Sequence, residues 1–106
     1  MLTARQIRND LKDIRYYFSR KTVLDDNFNK IGENQILEKL KLYNQAIRSA
    51  SPRLYDIYVS LYLYNNTQES LSEKLGYTLE HVSRLNSQLV SFFQQTIEEV
   101  DYDEVG

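Results

Sequence analysis

Residues 67–89 read TQESLSEKLGYTLEHVSRLNSQL, and the spacing within this stretch decides the fold. Thr67 is placed to cap a short helix through Leu75, Gly76 ends that helix, and Thr78 caps a longer one running to about residue 97. Gly76 can take the positive φ of a tight turn, and Ser72 is small where the two helices come closest. Leu71, Leu75, Val82 and Leu85 supply an apolar wedge between them, with Tyr77 filling the apolar position after the glycine. This is the pattern of a helix-turn-helix, whose second helix is exposed along one side and fits the roughly 12 Å major groove of B-DNA.

On the final helix Leu79, Val82, Leu85, Leu89 and Phe93 recur on one side, which places Glu80, Arg84, Ser87 and Ser91 opposite. His81 and Gln88 flank that face on one edge and Ser83 on the other. Arg84 is the leading base reader, because its guanidinium can bond guanine O6 and N7 together. Gln88 or His81 can donate to bases, Glu80 can accept from cytosine N4, and Ser83 and Ser87 keep the face small and polar. The competing expectation is an i,i+4 ion pair between Glu80 and Arg84 on a solvated helix. Phosphates are expected at Thr67 and the first-turn amides beginning at Gln68, at the Thr78 hydroxyl and at Lys74. Simple capping is the alternative for both threonines.

Upstream, Ser51-Pro52 offers the cap and first position of another helix, in which Leu54, Ile57, Tyr58 and Leu61 keep helical spacing until Asn65-Asn66 ends it. The run RLYDIYVSLYLY also suits a strand, but the chain has only 3 glycines and 1 proline, too few turn residues for a sheet. Ile36, Leu37, Leu40, Tyr43 and Ile47 predict a helix over about 33–49. Thr3 and Gln6 form a capping box, with Leu2 and Ile7 as its staple. Ala4, Ile7, Leu11, Ile14 and Phe18 then stripe a first helix to about residue 19. Between these two helices TVLDDNFNKIGEN breaks the pattern, with Asp25, Asp26, Asn27, Asn29 and Gly32 supplying turn chemistry. The expectation is therefore an all-α chain of about five helices in one domain, 1–97, with a helical hairpin over 1–50 and the helix-turn-helix part over 51–97.

Composition narrows the function classes. With 42% apolar residues and a mean hydropathy of −0.57, the chain can build a core in water. No cysteine and a single histidine exclude thiolate metal clusters, cysteine nucleophiles and any site needing two imidazoles. No metal, no cofactor and no enzymatic activity are expected. The opening MLTARQIRNDLKDIR lacks the apolar core of a secretion signal, so the expected location is cytoplasmic, with no membrane partner. The net charge of −2 is unevenly spread, since the final nine residues, EEVDYDEVG, hold five acids and no base. Residues 98–106 are expected to form an acidic flexible tail, and the remainder is mildly basic. In the first helix Arg5, Arg8, Lys12 and Arg15 share one flank and Asp10 and Asp13 the other, a possible second basic surface for phosphates or for an acidic protein. A plain solvated flank is the alternative.

The stretch 51–93, SPRLYDIYVSLYLYNNTQESLSEKLGYTLEHVSRLNSQLVSFF, resembles region four of bacterial sigma factors. More narrowly, it is similar to the small ArpU-like regulators of phages and prophages of Gram-positive bacteria. The likeness lies in a Pro-Arg helix start, a Leu-x-x-Tyr helix end, a short turn, and then the Leu-Ser…Leu-Gly-Tyr-Thr…His-Val-x-Arg-Leu core. Asn65 stands where a glycine is common, and Ser70-Leu71-Ser72 replaces Glu-Ile-Ala. The resemblance implies that Thr78 through Gln88 enter the major groove of double-stranded DNA and that the protein modulates promoter use. Two functions stay open: a sequence-specific transcriptional regulator, or a module of the same fold that binds RNA polymerase or another regulator without DNA. Homodimerisation through the first two helices is expected in the first case, because half-sites come in pairs.

Overall fold

The computed structural model describes the backbone of residues 2–24 and 30–105 and the side chains of residues 2–19 and 35–97. It is all-helical, with the elements α1 (Ala4–Leu24), α2 (Lys30–Ile47), α3 (Pro52–Tyr58), α4 (Gln68–Leu75) and α5 (Leu79–Val105). α3 runs on through a single π-helical turn, Val59–Leu63, closed by the Tyr64 N–H donating to the Val59 carbonyl at 2.9 Å. No described helix is long and apolar enough to cross a membrane.

The predicted caps form. Thr3 N–H donates to Gln6 Oε1 at 2.8 Å and Gln6 N–H to Thr3 Oγ1 at 3.1 Å, the reciprocal pair of a capping box. Ser51 caps α3 with Pro52 in its first turn. The boundaries differ from the sequence reading at three places. α1 continues past residue 19 to Leu24, and α2 starts at Lys30, so Gly32 lies within helix rather than loop. Glycine costs about 1 kcal/mol there relative to alanine, too little to stop a helix that buries an apolar face. Asp25, Asp26, Asn27 and Asn29 lie outside the described residues. α5 continues as helical backbone to Val105, through the acidic stretch expected to be a tail.

α5 is the element around which the others pack. Val82, Leu85, Leu89, Val90, Phe93 and Ile97 are buried on one side of it, joined by Ile7, Leu11 and Ile14 of α1, Tyr43, Ala46 and Ile47 of α2, Ile57 and Tyr58 of α3, and Leu71 of α4. Phe93 sits at the centre, with the Tyr43 ring at 4.8 Å and the Tyr58 ring edge-on at 5.4 Å. Ala4, expected on the buried stripe of α1, is exposed, and Tyr17 is buried instead.

Three buried tyrosines carry their hydroxyls to partners on neighbouring elements. Tyr43 Oη donates to Asp10 Oδ2 at 2.6 Å, Tyr58 Oη to Asn44 Oδ1 at 2.7 Å, and Tyr62 Oη to Asn86 Oδ1. Among the described residues no buried side-chain polar atom lacks a partner. Burial raises the hydroxyls of Tyr43 and Tyr58 well above the ordinary tyrosine value, and the bond to the Asp10 carboxylate raises Tyr43 further. Burial also pulls down the Lys39 ammonium, but hydrogen bonds to Asp13 and Asp10 outweigh it and leave Lys39 above its ordinary value.

Groups that hold their protons more tightly in the folded state stabilise it below the unfolded pKa and lose that contribution as pH rises. Resistance to urea should therefore fall as pH climbs above about 10, where tyrosines of the unfolded chain ionise. The fall should be shallower in Tyr43→Phe. Urea titrations at pH 8, 10 and 11 check this, and equal midpoints in the unsubstituted protein would contradict it.

Candidate nucleic-acid interface

The turn between α4 and α5 is built from backbone bonds and two side-chain caps. Thr67 is extended and its Oγ1 accepts from Ser70 N–H at 3.0 Å, which starts α4. Gly76, in the left-handed region at φ 69°, ends it, and the N–H groups of Gly76 and Tyr77 both donate to the Ser72 carbonyl. Thr78 Oγ1 accepts from His81 N–H at 3.0 Å and starts α5. Both threonines are thus caps, and capping leaves the remaining first-turn amides aimed outward. Before α4, Asn65 also takes the left-handed conformation, at φ 59°. Asparagine tolerates it better than most non-glycine residues, which is how the chain turns there without a glycine.

The wedge is partly as expected. Leu71, Val82 and Leu85 are buried, but Leu75 is 47% exposed, Tyr77 36% and Leu79 46%. These three surround the turn itself; period placed Leu75 and Leu79 inside, and the position after the glycine placed Tyr77 there, but no element encloses them. Leu75 and Tyr77 instead line an open cleft of about 430 Å³ with Pro52, Arg53, Asp56, Ile57 and Ser60. The sequence reading missed Asn86, which is buried and accepts from Tyr62 Oη. Its signal was its place one residue after Leu85 and four before Val90, inside the apolar side of α5.

The outward side of α5 is as expected. Glu80, Ser83, Arg84, Ser87 and Gln88 are all exposed, and Ser91 continues the face. Arg84, Ser87 and Gln88 are brought together, lining one shallow depression with Ser91, Phe92 and Gln95. His81 is half-buried, its ring held edge-on to Tyr77 at 4.7 Å, which sets it at the border of the face rather than on it. Glu80 does not pair with Arg84: among the described residues the ion pairs are those of Lys39 with Asp10 and Asp13. The Arg84 guanidinium is therefore available to an incoming acceptor.

At the start of α4, Gln68 is half-buried, and Lys74 Nζ reaches back to donate to Asn66 Oδ1 at 2.9 Å. Glu69, in the first turn, places a carboxylate where a phosphate would sit and works against it. On α1, Arg5, Arg8 and Lys12 are exposed, while Arg15 is half-buried with its Nε donating to Asn65 Oδ1 at 2.7 Å. The two candidate groups, α1 flank and α4 start, are thus tied to adjacent asparagines of one turn.

Comparison of the chain with protein-family models, with curated proteins and with solved structures gives no match.

Gly76→Ala should lower stability by about 1–2 kcal/mol, the cost of holding an L-residue in the left-handed region, because an added Cβ would meet no atom within 4 Å. Gly76→Asn should cost less. Urea unfolding of the two variants checks the order, and an equal or larger loss for asparagine would contradict it.

Proposed function

We propose that the protein is a sequence-specific double-stranded DNA-binding transcriptional regulator that reads the major groove with α5. The observation that supports this most is an unpaired arginine, Arg84, on an exposed polar face made otherwise of Glu80, Ser83, Ser87, Gln88 and Ser91. A helix with small polar neighbours around one long cation can enter a groove without steric conflict and place a bidentate donor against guanine. Its partner α4 presents the Thr67-capped start and Lys74 beside it, groups suited to phosphate. The left-handed Asn65 and Gly76 allow the two short turns that a compact helix-turn-helix needs. These features fit the resemblance to sigma region four and to phage or prophage regulators of the ArpU-like kind, which brings promoter DNA as the target.

A second reading draws on the apolar surface at the turn. Leu75, Tyr77 and Leu79 are exposed beside the cleft against α3, a surface suited to a protein such as RNA polymerase or another regulator. On that reading the same fold acts without binding DNA of its own.

Selection of duplexes from a random pool by the purified protein separates the two. A regulator enriches a shared sequence, and its affinity falls steeply with salt. Arg84→Ala should then cost about 1–3 kcal/mol at one base position, and Lys74→Ala should weaken all duplexes alike and lower the salt slope by about 1. No enrichment, with affinity independent of salt, would overturn the DNA reading in favour of the interaction module.

A further inference from the structure

The fold sorts the charges of α1 into two flanks with different fates. Asp10 and Asp13 turn toward α2, where Lys39 Nζ lies 3.1 Å from one and 3.0 Å from the other, and Tyr43 Oη donates to Asp10. Those acids are internally satisfied. The other flank carries Arg5, Arg8, Lys12 and Arg15, and no described carboxylate comes within ion-pair distance of any of them. A strip of four cations with no paired counter-charge among the described residues repels itself, and it is stabilised by whatever anion it meets.

The strip leads to the start of α4. Arg15 Nε donates to Asn65 Oδ1 at 2.7 Å, and Lys74 Nζ donates to Asn66 Oδ1 at 2.9 Å, so one cation on each side grips the turn that precedes Thr67. Arg8 lies on the same side as Arg15, two turns before it on α1. Only Nε of Arg15 is committed, which leaves its terminal N–H groups for an outside acceptor.

We propose that the α1 flank of Arg5, Arg8, Lys12 and Arg15 binds the phosphate backbone of the same duplex that α5 reads, extending the contact beyond the helix-turn-helix. This rests on the DNA-binding function proposed above. Arg5 to Arg15 spans about 15 Å of helix, and that length matches roughly four phosphates of one strand along the duplex axis. An acidic protein surface could also meet four cations, but it would not require one of them, Arg15, to be bonded to Asn65 beside the start of α4, where backbone phosphate is already expected.

The test uses the full-length chain, a duplex enriched from a random pool and an unrelated duplex of equal length, with affinities measured over a salt series. The exposed pair R5Q/K12Q removes two charges that make no internal bond, so the variant should melt as the parent does. It should bind both duplexes about tenfold or more weakly, keep the preference between them, and lose nearly 2 from the slope of log affinity against log salt, about 0.9 per phosphate contact. R5K/K12R should restore parental binding. If the parent binds its enriched duplex and R5Q/K12Q matches it in affinity and slope, the strip does not contact DNA and the proposal falls, while the reading of α5 stands. If the parent prefers no duplex, the function of α5 falls and this extension with it.

Discussion

The structure depends on α5 burying one side under four other elements while its opposite side stays bare. Val82, Leu89, Phe93 and Ile97 are fully enclosed, and Phe93 lies against Tyr43 and Tyr58 from two different helices. Complete burial of such side chains is worth roughly 1.5–3 kcal/mol each. A rotation that exposed them to cover Arg84 would therefore be strongly opposed. The open polar face is thus a consequence of the core and needs no separate device to hold it.

Tyrosine hydroxyls give that core its polarity and its register. Tyr43 ties α2 to Asp10 of α1, Tyr58 ties α3 to Asn44 of α2, and Tyr62 ties the π-helical turn to Asn86 of α5. Each bond joins two elements, so a shift of either would strand a buried polar group at a cost of about 1–3 kcal/mol. The bond to Asp10, together with the Lys39 pairs, also fixes how α1 is turned about its axis. Its acids are drawn to α2, and on its other flank Arg15 is left to Asn65, beside the start of α4. The charge pattern of the surface follows from the packing of the interior.

Much of this was legible in the sequence because the elements are bounded by residues with strong local preferences. Thr3 with Gln6, Ser51 with Pro52, Thr67, Gly76 and Thr78 all mark ends that the structure places where the pattern does, and the outward set Glu80, Ser83, Arg84, Ser87 and Gln88 follows from the period of α5. Periodicity says which side of a helix is apolar, but not how far along that side a neighbour reaches. Leu75 and Leu79 carry the right period and Tyr77 the right place after the glycine, yet all three stay exposed at the turn, Leu75 and Tyr77 along an open cleft against α3. Asn86 failed in the opposite sense, since a polar residue on an apolar side reads as exposed unless its partner, Tyr62, is known. The start of α2 was misplaced because one glycine, Gly32, costs only about 1 kcal/mol inside a helix and does not end it.

Backbone amide resonances of the ¹⁵N-labelled chain, followed as its enriched duplex is added, probe the central claim directly. Binding through the bare side of α5 should shift residues 67–70 and 80–91 and leave the α2 surface around Leu37, Lys41 and Gln45 unmoved. Shifts confined to α2, or to the cleft between Pro52 and Leu75, would contradict the account.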